Sequence, residues 1–419
     1  MAERKRRRRR RHRRNNGCIA ALVIVVAIGA AAAYGIPWAI SQYSGAVRET
    51  FSESVEKSVN VIQAKETEFE ELTVTEEEVE GHFYYNQLSE SDRTVYRELM
   101  QGIEQMEEGI RIHAGREDHP EKVYEYLLFD CPEFFWCAGS SQMSVYEDYT
   151  EFYPAYSCSP EEKERKRREI DAAARTCIDG IDSAASEYEK IRYVYEYLVD
   201  TVEYDEDAPD NQNIYSALVG KRSVCAGYSR AAQYLLNRMG IECIYVIGTA
   251  QRQEAHAWNI VNCDGKYYQM DVTFADPVFL SSENGETVPG DMISYDYLCC
   301  TDAQIATDHS QSTDVPYPAC ISDDLNYYKM NGLYYESYDP QLLLNAMNDS
   351  IYARREMFVC KFSDSEVYAQ AREGLIEELF PKAARTLGAE YGLESVRYTY
   401  IEDEPHSKLT VFWDYGKEN

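Results

Sequence analysis

Three short blocks of this chain carry residue types that could perform covalent chemistry. The first is "RSVCAGYSRAAQYLLNRMGI", residues 222–241, where Cys225 stands just ahead of Tyr228, Ala231, Ala232, Leu235, Leu236 and Met239. Those apolar positions fall on one helical face, and Gly240 is placed to close the helix. Cys225 is therefore expected at a helix start, where N–H groups and the helix dipole stabilise a thiolate and could hold an oxyanion. The second block, "HAWNIV" at 256–261, alternates as a strand, and Asp264-Gly265 marks a hairpin turn into the third, "GKYYQMDVTFADP". A loop of Asp264-Gly265 alone sets Trp258 opposite Asp271 and His256 diagonal to it. A loop from Asn262 to Gly265 sets His256 opposite Asp271. Both registers put the two side chains on one face, about 5 Å apart if opposite and about 7–8 Å if diagonal.

A thiol at a helix start and a histidine oriented by an aspartate suit nucleophilic thiol catalysis. His256 would take the thiol proton, and Asp271 would fix its tautomer and stabilise the imidazolium. Taken singly, Cys225 reads as an ordinary buried thiol and His256 as a structural strand histidine. The oxyanion donor has several candidates: the Cys225 backbone N–H, or the side chain of Gln212, Asn213 or Tyr204. Each of those side chains also suits an ordinary turn role. Trp258 fits either a shield beside His256 or a packing role. His82, His113, His119, His309 and His406 are scattered, with no zinc-ligand spacing, and Cys299-Cys300 is adjacent rather than spaced as Cys-x-x-Cys. No phosphate-binding glycine loop is present, so neither metal nor cofactor is expected.

These blocks, "VCAGYSRAAQYLLNRMGIECIYVIG", "HAWNIV" and "GKYYQMDVTFADP", resemble those of the bacterial transglutaminase-like superfamily, with its papain-like fold. The resemblance covers about residues 185–310, including "YDYLCCTDAQIATDH" downstream, and "DCPEFFW" resembles the helical N-terminal part of exported members. It implies Cys225 as nucleophile, His256 as base and Asp271 as orienter. It also implies attack on an amide carbonyl through a cysteine thioester, passed to water by a peptidase or amidase, or to an amine by a protein-glutamine acyltransferase. Hydrolysis is slightly favoured, since bacterial relatives are often thought to be proteases. The family also contains scaffolding relatives, so the alternative is a non-catalytic wall- or division-associated interaction protein.

The elements around these blocks point to an exported α+β protein. The 419 residues carry a net charge of -31, although residues 1–16 are an arginine-rich run. The acidic body argues against nucleic-acid binding. Directly after the basic run, "GCIAALVIVVAIGAAAAYGIPWAI" holds no charged residue over 24 positions, long enough to cross a bilayer. Basic before and acidic after places the N-terminus inside the cell and the body outside it. The competing reading is a cleaved signal peptide with Ala31-Ala32-Ala33 at its cleavage site. Eleven of the twelve cysteines follow this segment, which permits five bridges and one leftover thiol in an oxidising compartment.

The organisation expected is a basic tail at 1–16, a transmembrane anchor at 17–41, an acidic stalk at 42–81, a helical and strand region at 82–184, a transglutaminase-like catalytic core at 185–315 and a C-terminal α+β module at 322–419. The alternative for the stalk is a solvated helix of the main body. Helices are expected after Ser89 or Ser91, after His119-Pro120, after Ser159 and over 186–205. Strands are expected over 142–157. Residues 316–336 read as linker and hairpin, "MFVCKFS" as a strand, 365–392 as one helix and 396–415 as two strands. The 36 tyrosines suit half-buried sheet faces and wet clefts. A protein or peptide substrate, including cell-wall-linked peptide, is the expected partner; the oligomeric state is left open.

Overall fold

The computed structural model describes residues 69–251, 253–276 and 293–416. The basic tail and the apolar segment 17–41 lie outside them. Among the described residues no helix is long and apolar enough to cross a membrane. The chain divides into two compact units, residues 1–172 with 247–256, and residues 173–246 with 257–419.

In the first unit, α1 (Glu76–Val79) starts at a Thr75 capping box and α2 (Glu90–Gln105) at Ser89, whose hydroxyl accepts from the Asp92 N–H at 3.2 Å. Strand β1 (Ile110–Ile112), α3 (Pro120–Asp130), β2 (Cys137–Val145) and β3 (Thr150–Tyr156) follow, with sheet order β1-β3-β2, all antiparallel. Leu99, Ile103, Leu127, Trp136 and Phe152 are fully buried in it. The acidic stretch expected as a stalk reaches the described residues from 69 on. There it docks on α2, where Gln101 Oε1 accepts from the Thr73 N–H at 2.7 Å and Gln101 Nε2 donates to Glu71 O at 3.1 Å.

Helix α4 (Pro160–Ile178), capped at Ser159 as expected, runs through the division between the units. In the second unit, α5 (Glu187–Thr201) starts at a Ser186 capping box. Short β4 (Glu203–Tyr204) pairs in parallel with β5 (Arg222–Ser223), which leads directly into α6 (Cys225–Arg238). Gly240 follows α6 at φ 80°, the left-handed conformation expected of a helix-closing glycine. Then come β6 (Cys243–Ala250), β7 (Glu254–Cys263), β8 (Lys266–Met270), α7 (Asp302–Ile305) and β9 (His309–Gln311), with sheet order β8-β7-β6-β9. The β7–β8 hairpin pairs Cys263 with Lys266, so its loop is Asp264-Gly265 alone, at φ 50° and 79°. Positive φ at both positions matches the twist of a two-residue hairpin.

The C-terminal part of this unit holds α8 (Tyr327–Met330), β10 (Tyr334–Tyr335), α9 (Pro340–Tyr352), β11 (Met357–Phe362), α10 (Ser365–Gly374), α11 (Phe380–Tyr391), β12 (Arg397–Asp403) and β13 (Lys408–Asp414). Its sheet order is β10-β11-β13-β12, over a core that includes Leu343, Met347, Cys360, Phe380, Leu387 and Val411. Three expectations change here. The hairpin expected within 316–336 is instead a one-turn helix, α8, and a strand that pairs in parallel with β11. The single helix expected over 365–392 is divided by a π-helical turn at Leu375–Leu379, with Pro381 just after it. Helix α9 was not anticipated, although Asp339 caps it and Pro340 takes its first position.

The five bridges allowed by the cysteine count do not form. Cys131, Cys177, Cys225, Cys243, Cys263, Cys299, Cys300, Cys320 and Cys360 carry free thiols, all but Cys225 buried, so Cys225 is not the one thiol left over. Cys243, Cys299, Cys300 and Cys360 pack as small apolar side chains, and burial pushes their thiols well up. The tyrosines act less as sheet facing than as anchors. Tyr195, Tyr228 and Tyr391 donate to the Ser294, Val202 and Ile351 carbonyls at 2.6, 2.6 and 2.9 Å.

Candidate active site

Cys225 is the first residue of α6, half-buried, and the N-cap before it is Val224, which offers no side-chain hydrogen bond to the helix start. Valine is a poor cap, and although the Gly227 N–H donates to Val224 O at 2.9 Å, no side chain caps the N–H groups of Cys225 and Ala226, which suit a thiolate or an oxyanion. The strand before it is pinned by Ser223, whose hydroxyl donates to Asn211 O at 2.7 Å and meets Ser216 Oγ at 2.8 Å. Gly227, one turn into α6, makes this approach feasible. A Cβ there would stand 1.9 Å from Ser223 Oγ and 2.9 Å from Asn211 O.

Two polar residues tie this helix to the hairpin. Ser229 Oγ lies 2.9 Å from Cys225 O and 2.8 Å from Ala257 O, so one hydroxyl spans the helix start and the residue next to His256. Asn259, fully buried, donates to Ser229 O at 3.0 Å and faces Ile244 O at 3.4 Å. These contacts give physical work to the polar positions of the "HAWN" block. Trp258 is fully buried and donates from Nε1 to Gln269 Oε1 at 2.8 Å. Its ring meets His309 edge-on at 5.2 Å, a packing role.

The pairing of Asn259 with Met270 continues to place Trp258 opposite Asp271 and His256 diagonal to it, the first of the two registers considered. His256 is half-buried, and Asp271 is fully buried just beyond β8. Asp271 Oδ1 accepts from the Thr273 and Phe274 N–H groups at 2.8 and 3.3 Å. The carboxylate thus turns the chain back at the strand end, which accounts for the Asp-x-Thr-aromatic spacing. Thr273 Oγ1 beside it is buried without a hydrogen-bond partner.

One histidine that looked scattered belongs here. His309, at the start of β9, has its Nε2 2.9 Å from Asp271 Oδ2 and its Nδ1 2.5 Å from Asp308 Oδ1. One donor atom from each of His256, Asp271 and His309 lies within 4.8 Å of the others. The Asp271 and His309 atoms in that group are already hydrogen-bonded to each other, an arrangement that orients a carboxylate. The adjacent Asp308-His309 pair was the signal available in the sequence; its 38-residue separation from Asp271 hid the contact.

Of the side chains considered for the oxyanion, Asn213 serves its own turn. Its Oδ1 accepts from Tyr215 and Ser216 N–H groups at 2.9 and 3.3 Å. Gln212 Nε2 reaches Asn211 Oδ1 at 3.4 Å, and Tyr204 lies half-buried on β4.

The family model of the transglutaminase-like superfamily matches residues 175–272. No curated protein matches the chain. Among solved structures, a TGase is 14% identical over 32% of this chain and 44% of its own, with a TM-score of 0.25. A candidate cysteine protease from Cytophaga hutchinsonii is 13% identical over 44% of this chain and 80% of its own, with a TM-score of 0.23. Menin, in a structure that reveals its binding site for the Mixed Lineage Leukemia protein, is 14% identical over 73% of this chain and 66% of its own, with a TM-score of 0.26. This chain spans less than half the length of the first of these. The stretch that matches this family model, residues 175–272, holds Cys225, His256 and Asp271 and ends before His309.

Proposed function

We propose that the protein is a cysteine-dependent enzyme that attacks amide carbonyls, with Cys225 as nucleophile, His256 as general base and Asp271 as the residue that orients His256. The observation that carries this reading is the placement of Cys225 at a helix start without a side-chain cap, joined through Ser229 to the strand of His256. The match of residues 175–272 to the transglutaminase-like superfamily model supports cysteine chemistry at the family level. In the first half-reaction the Cys225 proton passes to His256, the thiolate adds to the carbonyl carbon, and the oxyanion meets the N–H groups that begin α6. His256 then gives the proton to the leaving amine as the thioester forms. Water or a second amine, deprotonated by His256, releases the acyl group and regenerates the thiol.

The body is proposed to work outside the cell, anchored by the apolar segment after the basic tail, on protein or peptide substrates of the envelope. The test has two parts. The full-length chain is treated with iodoacetamide at pH 6 and digested for mass spectrometry. Alkylation confined to Cys225, and lost in Cys225→Ala, is the expected result; alkylation elsewhere, or none, removes the nucleophile and favours a binding module. Incubation of the active chain with casein, with and without monodansylcadaverine, then separates cleavage from amine incorporation.

A further inference from the structure

Polar side chains run in an unbroken line from the candidate site into the C-terminal module. Asp271 Oδ2 faces His309 Nε2 at 2.9 Å, and His309 Nδ1 faces Asp308 Oδ1 at 2.5 Å. Tyr297 donates its hydroxyl to Asp308 Oδ2 at 2.6 Å. The Tyr297 oxygen lies 3.3 Å from His406 Nε2, and His406 Nδ1 lies 2.8 Å from Asp403 Oδ1. His406 and Asp403 sit at the turn between β12 and β13.

The protons in this line can be placed. A carboxylate only accepts, so a ring nitrogen that bonds to one must carry hydrogen. His309 meets a carboxylate at both nitrogens, and its side chain is 0% exposed. With both carboxylates ionised, a neutral His309 would set a nitrogen lone pair against one of them out of contact with solvent, a costly arrangement in a buried network. His309 is therefore an imidazolium. The Tyr297 hydrogen is committed to Asp308, so the Tyr297 oxygen accepts from His406 Nε2–H. His406 is then also protonated at both nitrogens. Burial opposes that charge, but the Asp403 bond and the Asp296 and Asp403 carboxylates outweigh it and raise its pKa. The rings of Trp258, Phe274 and Tyr297 and the nearby His256 also stand around His309 among the described residues.

We propose that His309 is a positioning residue of the candidate site, a buried imidazolium that fixes the Asp271 carboxylate and is itself held from the C-terminal module through Asp308, Tyr297 and His406. The proposal rests on the reading of Cys225, His256 and Asp271 as a thiol centre. Two carboxylates and one imidazolium leave a single negative charge. That charge is what His256 needs opposite it when it takes the Cys225 proton. Asp271 has donors on both oxygens, so its orientation is set without help from His256. The module at 322–419 is in this view a support of the chemistry.

The test uses the full-length chain. It holds seven histidines, few enough for ring-nitrogen NMR with 15N-histidine and assignment by loss of a signal in His309→Gln. His309 should stay protonated at both nitrogens from pH 5 to pH 9; titration to a neutral ring in that range overturns the proposal. In parallel, the rate of Cys225 alkylation by iodoacetamide is followed against pH. Tyr297→Phe, which keeps the ring and removes only the hydroxyl, should slow alkylation at neutral pH about tenfold and move the basic limb of the profile, and His309→Gln should do so more strongly. Wild-type rate and profile in a folded Tyr297→Phe overturn the coupling to the module even where His309→Gln fails to fold. An unreactive wild-type Cys225 would defeat the thiol centre instead, and the NMR result would still decide the state of His309.

Discussion

Gly227→Ala separates two opposed physical expectations at the second residue after Cys225. Helix propensity alone favours alanine over a mid-helix glycine by about 0.5–1 kcal/mol. The structure reverses the sign. The added Cβ would stand 1.9 Å from Ser223 Oγ, 2.9 Å from Asn211 O and 3.1 Å from Ser223 Cβ. Ser223 cannot swing aside freely, because its hydroxyl holds Asn211 O and Ser216 Oγ and its side chain is completely buried. Asn211 O is backbone and also accepts from the Val224 N–H at 3.2 Å. Overpacking of this kind costs about 1–3 kcal/mol, and release of the buried hydroxyl about 1–3 kcal/mol more. The net expectation is a loss of about 1–5 kcal/mol after the propensity gain, with α6 displaced at its first turn. Urea denaturation followed by tyrosine fluorescence measures the loss, and iodoacetamide alkylation at pH 6 measures the displaced Cys225. A variant as stable as wild type or more so, with unchanged alkylation, would refute the close packing at this helix start. Gly227→Ala combined with Ser223→Gly should recover part of the stability, because it removes the nearest clash.

Asp271→Asn should lower turnover by orders of magnitude through the His256 tautomer, and should also destabilise, because an amide can accept from the Thr273 and Phe274 N–H groups or from His309 but not from all three; turnover within a few-fold of wild type removes Asp271 from the mechanism. Asp296→Asn should cost about 3–5 kcal/mol in urea denaturation, because it removes the buried carboxylate that pairs with the half-buried Lys361 and the buried Lys408 and leaves Lys408 with Asp403 alone; a loss below 1 kcal/mol would show that the pairing is not structural. The stability of the second unit should also depend on pH. Asp296 and Asp403 are held below their ordinary 3.8 although burial opposes it, because Lys361, Lys408 and His406 stand beside them. Their contribution is present above that value and lost as the pH falls through the folded pKa. His406 is held above its ordinary 6.5, so its contribution is full below 6.5 and lost as the pH rises through its folded pKa. The urea midpoint should therefore fall between pH 6 and pH 8.5, and the fall should be absent in His406→Gln; a midpoint that rises over this range would contradict the charge placed on His406.

What could be read directly was whatever depends on a few neighbouring residues. Ser89, Ser159 and Ser186 begin helices because a hydroxyl can reach an N–H three residues on. Cys225 could be set at a helix start because Tyr228, Ala231, Leu235 and Met239 repeat at helical spacing and Gly240 closes the helix. Asp264-Gly265 announced a hairpin, and His256 and Asp271 shared a face in either register because strand side chains alternate. The same local signals stand at α9, in Asp339 and Pro340. The short strand β10 and its parallel pairing with β11 had no comparable signal, because a two-residue strand acquires its partner from the fold around it.

Local periodicity allows a thiol, an imidazole and a carboxylate to be proposed as one site, since each sits in a block whose repeat places it. Only the tertiary structure decided what holds them. Ser229 reaches Ala257 across 28 residues, and His309 reaches Asp271 across 38. Tyr297 reaches His406 across 109 residues. The structure also decided that eight cysteines are buried as single thiols instead of bridged. Hydrogen bonds and packing at such separations depend on where strands and helices come to rest in space, and no local repeat in the chain encodes that.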